Sequence, residues 1–383
     1  MQVTGFRFHH GPQVVSGAGT SAHLSALVPA HRILFITDPG VRGLGLCDAA
    51  LAGLAEARKH VTVFDAVEVD PSSATVLAAV AQGLAAEVEA VVGFGGGSPM
   101  DVAKLAAYLI GTGEMLDAIY GVGLAQGKGL PLVLVPTTAG TGSEATGVAV
   151  VTVGGAEKRG VNAPALLADW AVLDPDLTLG LPPAITAATG IDAMIHAVEA
   201  YTCARGKNPL SDLFAREALR LLAGSIRQAV ADGADRAARS AMLQGAYLAG
   251  VAFANAPVGG IHALAYPLGG HFHVPHGLSN ALMMGPVMRF NMPAADGLYA
   301  ELAAVIDPAL ARLGTQAAAS GLAEALAAIA ADCGIASGLR AVGVEAAHLD
   351  LLADEAIKQQ RLLVNNPRPI TRADARTLYE AAL

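Results

Sequence analysis

The first half of the chain alternates short apolar runs with alanine-rich helical segments. The apolar runs predict buried strands at Ile33–Asp38, His60–Val69, Val88–Phe94 and Leu130–Val135. Strands that are apolar on both faces and separated by helices are typical of a parallel sheet covered on both sides. We therefore predict a Rossmann-like α/β domain at residues 1–180.

The pattern changes near Leu181, where strand-like runs become rare. From there to Leu383, amphipathic segments rich in alanine and leucine dominate, broken by proline and glycine. The stretch DPDLTLGLPP supplies turn residues at the change of pattern. We expect an all-α domain at residues 181–383.

One segment near the N-terminus has two interpretations. GAGTSA at Gly17–Ala22 formally matches the dinucleotide fingerprint GxGxxG/A. That fingerprint requires a preceding buried strand, and GPQVVS is short and follows polar residues. We interpret the segment as a hairpin turn.

Composition excludes several classes of partner. The net charge of -9 argues against a nucleic acid. No run of about 18 apolar residues lacks a charge, glycine or proline, and no signal peptide is visible, so we expect no membrane span. Cys47, Cys203 and Cys333 are scattered and odd in number, which is typical of a reduced cytoplasmic protein.

Small and acidic residues follow three of the predicted strands. In parallel sheets, ligands bind at the carboxyl ends of strands. The Gly96-Gly97-Ser98 stretch can admit a phosphate to the backbone and to a helix N-terminus, or can be only a tight turn. Asp38 can accept hydrogen bonds from an adenosine ribose, which favours NAD over NADP, or can be an ordinary turn aspartate.

Neighbouring polar residues extend this candidate site. Thr137, Thr138 and Thr141 offer small hydroxyls, as an ordinary polar turn also would. Asp101 lies in the first turns of the next helix, where it can contact a cofactor or simply favour the helix N-terminus. Asp70 precedes another predicted helix and is a candidate cap or site residue.

The second domain contains a histidine-rich stretch at Gly259–Asn280. It includes His262, His271, His273 and His276, of eleven histidines in the chain. His262 and His276 can reach one point if they lie on two helices joined by a glycine-containing loop. His271 and His273 would point opposite ways if extended, so at most one faces the site.

Upstream, Asp192 and His196 lie four apart on an apolar helical pattern. Residues i and i+4 share a helix face, so both side chains can reach one point. A carboxylate and imidazoles converging there would bind a divalent metal, with iron, zinc or manganese suitable. The alternative is a buried hydrogen bond between Asp192 and His196.

Five motifs in this order resemble the iron-containing (group III) alcohol dehydrogenases. They are GGGSPMDVAK, PTTAGTGSEAT, GIDAMIHAVEAYT, HALAYPLGGHFHVPHGLSNAL and NNPRPITRADARTLYEAAL. The resemblance runs through nearly the whole chain. It implies a dehydroquinate synthase-like fold with a nucleotide-binding domain and a helical metal domain, and a homodimer or larger homo-oligomer.

The resemblance also implies particular site residues. The metal ligands implied are Asp192, His196, His262 and His276, with Fe2+ preferred over Zn2+ or Mn2+. The NAD(P)-binding positions implied are Asp38, Asp70, Gly96, Gly97, Ser98, Thr137, Thr138, Thr141, Val150, Lys158, Thr178 and Leu179.

The chain departs from the family pattern at Tyr266, where the family often has His near the reacting centre. A phenol can relay a proton, but its reference pKa near 10 suits that role less well at pH 7. We therefore expect altered substrate choice, a shifted pH optimum, or a relay that also uses His276 and His271 or His273. The alternative is that Tyr266 only shapes the pocket.

Our hypothesis is reversible hydride transfer between a small alcohol or aldehyde and NAD, with the metal acting as a Lewis acid on the substrate oxygen. One alternative is an NAD- and metal-dependent lyase of the dehydroquinate synthase type. A second is a non-catalytic protein that binds nucleotide and metal.

Overall fold

The computed structural model describes residues 5–154 and 157–383 and divides into two compact units. The α/β unit is His10–Gly180, and the helical unit begins at Leu181 and ends at Leu383. Residues 5–9 belong to the helical unit, whereas the sequence assigned them to the first domain. They are held there because His9 and Asn255 exchange two hydrogen bonds of 2.7 and 2.8 Å and Phe8 stacks on Phe214.

A six-stranded, fully parallel sheet forms the centre of the α/β unit, in the order β1-β9-β6-β4-β2-β3. A smaller sheet has the order β5-β8-β7. The strands are β1 (Gln13–Ser16), β2 (Arg32–Ile36), β3 (His60–Phe64), β4 (Ala90–Gly95), β5 (Gly121–Val122), β6 (Leu132–Pro136), β7 (Val148–Val153), β8 (Glu157–Asn162) and β9 (Trp170–Leu173). The helices of this unit are α1 (Pro39–Gly43), α2 (Asp48–Glu56), α3 (Ser73–Ala85), α4 (Gly97–Thr112) and α5 (Leu116–Ile119).

Strand β2 explains why the apolar runs are continuous. Ile33 and Phe35 pack into the hydrophobic cluster on one face of the sheet, and Leu34 and Ile36 pack into the cluster on the other. All four side chains are fully buried. Successive side chains of a strand point to opposite faces, so a sheet covered on both faces needs apolar residues at every position.

Two predictions for this unit are wrong in detail. Strand β1 pairs in parallel with β9, so Gly17–Ala22 is a strand-to-helix turn rather than a hairpin. The turn is held by Asp174, whose carboxylate accepts hydrogen bonds from the backbone N–H groups of Gly19 and Ser21. Strand β3 ends at Phe64, whereas the predicted strand continued to Val69. Its partner β2 ends at Ile36, opposite Phe64, so the residues beyond have no strand to pair with there.

Helices alone form the regular structure of the described residues in the second unit, apart from short 3-10 turns. They are α6 (Pro183–Tyr201), α7 (Pro209–Ala231), α8 (Arg236–Asn255), α9 (Gly260–Phe272), α10 (His276–Ile306), α11 (Thr315–Asp332), α12 (Leu349–Ala356), α13 (Gln360–Leu363) and α14 (Arg372–Ala381). Helix α6 is central, and it packs against α7, α8 and α10. Its residues from Gly190 to Tyr201 are all buried.

The connection between α9 and α10 differs from the prediction. Pro267 lies inside α9 without ending it. The connecting residues 273–275 contain no glycine, and the left-handed position is occupied by His273 at φ 54°. Across residues 5–154 and 157–383, no single helix is long and apolar enough to cross a membrane; α8 and α9, bent by 106°, meet the length and composition requirement only as a pair.

Candidate metal centre and cofactor loops

Four predicted metal-site residues converge in the helical unit. Asp192 and His196 lie one turn apart on α6, His262 lies in the first turn of α9, and His276 is the first residue of α10. One candidate ligand atom from each lies within 4.8 Å of the other three. The first three side chains are buried, whereas that of His276 is 46% exposed. The cluster is therefore shielded from solvent at Asp192, His196 and His262 and accessible to solvent at His276.

Two glycines let the helices approach this closely. A Cβ atom at Gly277 would lie 2.3 Å from the backbone oxygen of Ala188 on α6, so only glycine lets the start of α10 reach that helix. A Cβ at Gly260 would lie 2.7 Å from Oδ1 of Asn366. The glycines that precede His262 and follow His276 thus allow close packing of the segments that carry these ligands.

The spacing of the ligand atoms fits a metal ion. Oδ1 of Asp192 lies 4.0, 3.7 and 3.8 Å from Nε2 of His196, His262 and His276, respectively. Two ligands at about 2.1 Å from a tetrahedral ion are about 3.4 Å apart, so a small contraction would place all four on one ion. Nε2 of His262 is buried and has no hydrogen-bond partner among the described residues. A buried ring nitrogen without a partner is costly unless an ion binds it.

Tyr266 lies beside the cluster. It is half-buried, and its ring centroid is 6.0 Å from that of His276. Its hydroxyl oxygen accepts a hydrogen bond of 3.4 Å from Arg361. His271 and His273 are both exposed near the end of α9, and the structure does not bring either into the four-residue cluster.

In the α/β unit, the predicted cofactor residues follow three adjacent strands, β6, β4 and β2. Asp38 follows β2 and caps α1, where its Oδ1 accepts a hydrogen bond of 2.8 Å from the N–H of Val41. Gly96, Gly97 and Ser98 follow β4 and begin α4. Thr137, Thr138 and Thr141 follow β6. These loops share one edge of the sheet, since the carboxyl ends of neighbouring parallel strands meet there.

Asp101 binds the loop after β6 and strand β7. Its Oδ1 accepts a hydrogen bond of 2.7 Å from the hydroxyl of Ser143, and its Oδ2 accepts one of 2.9 Å from the N–H of Val150. Lys104 is fully buried, lies 3.6 Å from Asp101 and donates to Ser143 at 2.7 Å. Each carboxylate oxygen of Asp101 thus accepts a hydrogen bond from within the unit.

The remaining predicted cofactor positions lie on other segments of the same unit. Asp70, at φ 56°, and Lys158 form an ion pair, and the carbonyl of Asp70 accepts a hydrogen bond from Thr152. Ser72, not Asp70, caps α3. Thr178 is buried in a 3-10 turn, where its hydroxyl donates to Pro175 O at 2.8 Å, and Leu179 follows this turn.

Both units match known family models. Residues 11–175 match the model described as iron-containing alcohol dehydrogenase. Residues 186–383 match the model for the C-terminal part of the Fe-containing alcohol dehydrogenase family. The chain belongs to the iron-containing alcohol dehydrogenase family. Its activity is that of a metal-dependent alcohol dehydrogenase, an oxidoreductase that acts on alcohols. Both models describe dehydrogenases, which decides against the lyase alternative.

Individual relatives extend over almost the entire chain. This chain is 42% identical over 368 residues to long-chain-alcohol dehydrogenase 1 of Geobacillus thermodenitrificans, and the match covers 94% of this chain and 93% of that protein. A solved 1,3-propanediol oxidoreductase superposes with a TM-score of 0.95 at 33% identity, covering 99% and 100% of the two chains. The sulfoacetaldehyde reductase of Bifidobacterium kashiwanohense, solved in complex with NAD+, has a TM-score of 0.89 at 27% identity, covering 99% of each chain.

Sequence reasoning missed two side chains that hold the cluster of this dehydrogenase. Oε2 of Glu199 lies 2.6 Å from Nδ1 of His262, and its Oε1 accepts a hydrogen bond of 2.7 Å from the N–H of Ile261. Nδ2 of Asn280 donates to Oδ1 of Asp192 at 2.6 Å. Glu199 keeps the proton of His262 on Nδ1, which leaves Nε2 with a lone pair for an ion.

Both residues carried a usable signal. Glu199 lies seven residues after Asp192, which places it on the same face of α6 two turns later. Asn280 lies four residues after His276 on α10. Extending the helical periodicity one turn beyond each predicted ligand would have found them.

Electrostatics of the cluster favour a cation. Burial raises the pKa of Asp192, but His196, His276, His262 and the hydrogen bond from Asn280 outweigh burial and hold that pKa below its ordinary value. Burial and, to a smaller extent, Arg361 lower the pKa of His262. The hydrogen bond and charge of Glu199 and the charge of Asp192 outweigh them, so that this pKa is raised above its ordinary value. Two carboxylates supply negative charge here, since Asp192 lies within the cluster and Glu199 lies against His262.

Proposed function

We propose that this protein transfers a hydride reversibly between a small alcohol and NAD at a divalent ion held by Asp192, His196, His262 and His276. Fe2+ is the proposed ion, and Zn2+ or Mn2+ would also suit one carboxylate and three imidazoles. The observation that carries the proposal is that four candidate ligand atoms from three helices lie within 4.8 Å of one another. The buried, unpartnered Nε2 of His262 supports it.

Each part of the centre has a distinct task. When bound, the ion supplies Lewis-acid stabilisation of negative charge on the alcohol oxygen. Glu199 holds His262 in one tautomer, and Asn280 orients Asp192. The half-exposed His276 marks the side from which an alcohol or aldehyde can enter.

Proton transfer is proposed to use Tyr266 and His276, with His271 nearer to solvent. The phenol lies against the ring of His276, and its oxygen accepts a hydrogen bond from Arg361. Tyr266 can therefore donate its own proton to another acceptor while it accepts from Arg361. The exposed His271 can exchange a proton with bulk water.

NAD is the proposed cofactor, and NADP is the weaker alternative. Oδ1 of Asp38 is used in capping α1, and its Oδ2 is left to accept from a ribose hydroxyl, where a 2'-phosphate would be repelled. The first turn of α4, at Gly96, Gly97 and Ser98, offers backbone N–H groups to a diphosphate. The other proposed cofactor positions are Asp70, Asp101, Thr137, Thr138, Thr141, Val150, Lys158, Thr178 and Leu179.

The proposal includes a cytoplasmic homodimer or larger homo-oligomer without nucleic-acid or membrane partners. Cys47, Cys203 and Cys333 are buried free thiols, which suits a reducing compartment. The net charge of -9 opposes binding to a phosphate backbone. The oligomeric state rests on the family resemblance alone.

The direct test is NADH absorbance under anaerobic conditions. Metal-stripped protein would receive Fe2+, Zn2+ or Mn2+, then NAD or NADP, and a panel of short alcohols and diols. We expect reduced cofactor to accumulate only after metal is restored, and NADH from NAD to form faster than NADPH from NADP. Equal turnover without metal, or turnover only with NADP, would contradict the proposal.

A further inference from the structure

An exposed arginine lies at the accessible side of the metal cluster. Arg361 is on α13, and its terminal nitrogen donates to the hydroxyl of Tyr266 at 3.4 Å. The guanidinium carbon is 5.7 Å from the centroid of the Tyr266 ring. That ring is in turn 6.0 Å from the ring of His276. A single tyrosine ring therefore separates Arg361 from a residue of the metal cluster.

The charge of Arg361 is not neutralised by the protein. No carboxylate lies within 4.0 Å of it among residues 5–154 and 157–383, whereas Arg220 pairs with Glu217 and Arg372 pairs with Asp350 and Asp354. A guanidinium has five N–H donors, and the bond to Tyr266 uses one. Arg361 therefore has donors available on the same side of the cluster as the half-exposed His276.

A planar guanidinium suits a carboxylate. Arginine binds carboxylates through two parallel N–H bonds, which fix the direction as well as the charge of the bound group. The hydroxyl oxygen of Tyr266 accepts one N–H of Arg361 and holds the guanidinium beside the cluster, while its own O–H remains for the proton transfer proposed above. An anion at this place would receive charge-assisted hydrogen bonds from Arg361.

We propose that Arg361, held in place by its hydrogen bond to Tyr266, forms a carboxylate subsite, so that the preferred substrate is an unbranched hydroxy acid with a terminal alcohol, or the corresponding aldehyde acid. This inference rests on the proposed function, since it names the substrate class of the same centre. The alcohol loses a hydride to NAD and a proton to the solvent, giving aldehyde, NADH and H+. The carboxylate remains unchanged and anchors the far end of the molecule.

The test compares hydroxy acids with uncharged alcohols of the same length. The kcat/KM for 4-hydroxybutanoate, 5-hydroxypentanoate and 6-hydroxyhexanoate would be measured against 1-butanol, 1-pentanol and 1-hexanol. We expect the best hydroxy acid to exceed its matched alcohol by at least about tenfold, as one charge-assisted contact provides. Arg361→Gln should remove this preference mainly through KM, Arg361→Lys should keep part of it, and the exposed Arg312→Gln is the matched control.

The outcomes separate this inference from the proposed function. Turnover of 1-pentanol without a preference for the acid, or an equal loss for all substrates in Arg361→Gln, would overturn the subsite and leave the dehydrogenase intact. Calorimetric titration of the metal-loaded protein with pentanoate tests the subsite without turnover. Binding that Arg361→Gln weakens by about tenfold supports it, and equal or absent binding in both proteins would overturn it.

Discussion

The protein buries two polar clusters of opposite character. In the α/β unit, Lys104 donates to Ser143 and to the carbonyl of Val148 at 2.7 Å, and Asp101 accepts from Ser143 and Val150. In the helical unit, the Nε2 atoms of His196, His262 and His276 lie 3.7 to 4.0 Å from Oδ1 of Asp192. The first cluster satisfies its own hydrogen bonds, whereas the second leaves Nε2 of His262 without a partner among the described residues.

The difference separates a cluster that stabilises structure from one that binds a ligand. Buried polar groups are normally hydrogen-bonded, so a self-satisfied cluster fixes the backbone segments that supply its atoms. Lys104 and Asp101 fix the loop after β6 and the strand β7. The helical cluster leaves one ring nitrogen without a partner, and Glu199 and Asn280 hold His262 and Asp192 in place. Such an arrangement is organised to bind a ligand.

The largest expected effect is on the helical cluster. His262→Ala removes the buried ligand, so metal binding should fall and kcat/KM should drop by on the order of 10³-fold, which corresponds to losing several kcal/mol of Lewis-acid stabilisation. Metal content and NADH formation would both be measured. The exposed His31→Ala is the control, and metal content in His262→Ala equal to that of the control would remove His262 from the ligand set.

Breaking the α/β cluster should instead affect stability. Lys104→Met leaves the carboxylate of Asp101 buried without its cation, which costs about 3–5 kcal/mol in the free energy of unfolding. Urea unfolding of wild type and variant, compared at equal metal content, would measure this loss in the free energy of unfolding. Lys128→Met is the control, because Lys128 is exposed in the same unit. An unchanged midpoint in Lys104→Met would show that the cluster does not stabilise the unit.

A second buried carboxyl group near Lys104 should make stability depend on pH. Glu144 follows Ser143 in the chain and is buried. Burial raises the pKa of Glu144 to about 7 from an ordinary value of 4.5, against the effects of a backbone hydrogen bond and Lys104. Between these values the native state binds more protons than the unfolded chain, so the free energy of unfolding falls as pH rises. Glu144→Gln should therefore gain up to about 3 kcal/mol relative to wild type from pH 5 to pH 8.

Urea unfolding at a series of pH values checks this sign. Exposed Glu56→Gln in the same unit should follow the wild-type pH dependence. If the free energy of unfolding of Glu144→Gln and of wild type changed equally with pH, the raised pKa of Glu144 would be contradicted. If Glu144→Gln became less stable than wild type as pH rises, the direction of the shift would be contradicted.

The smallest expected effect tests the support of the metal cluster. Glu199→Gln keeps the shape of the side chain but loses the charge that holds the proton of His262 on Nδ1, so metal affinity should fall about 10–100-fold. Competition with a chelator of known affinity would measure it. Exposed Glu324→Gln should bind as wild type does, and an unchanged affinity in Glu199→Gln would reduce Glu199 to a packing role.

The sequence predicted the parts that depend on local periodicity. The buried strands of the main sheet, the change to helices near Leu181 and the spacing of Asp192 and His196 all follow from hydrophobic pattern and helix geometry. The family matches confirm the class of fold and of activity.

Other features depend on contacts between residues that are distant in the chain. The parallel pairing of β1 with β9 joins residues as far apart in the chain as Gln13 and Trp170, and no local pattern encodes it. Asp101 on α4 accepts a hydrogen bond from the N–H of Val150 on β7, and the sequence does not show that these two segments lie side by side. His273 takes the left-handed position that glycine usually fills, so the prediction of a glycine-containing loop for that connection was wrong.

We propose that the cluster in the helical unit holds the ion that the activity requires. A titration of metal-stripped protein with Fe2+ under anaerobic conditions, with bound metal and NADH formation recorded at each step, tests this directly. We expect activity to rise in proportion to bound metal and to stop rising at about one ion per chain, as a single four-ligand site requires. Full activity before metal is added, or activity that does not follow bound metal, would contradict it.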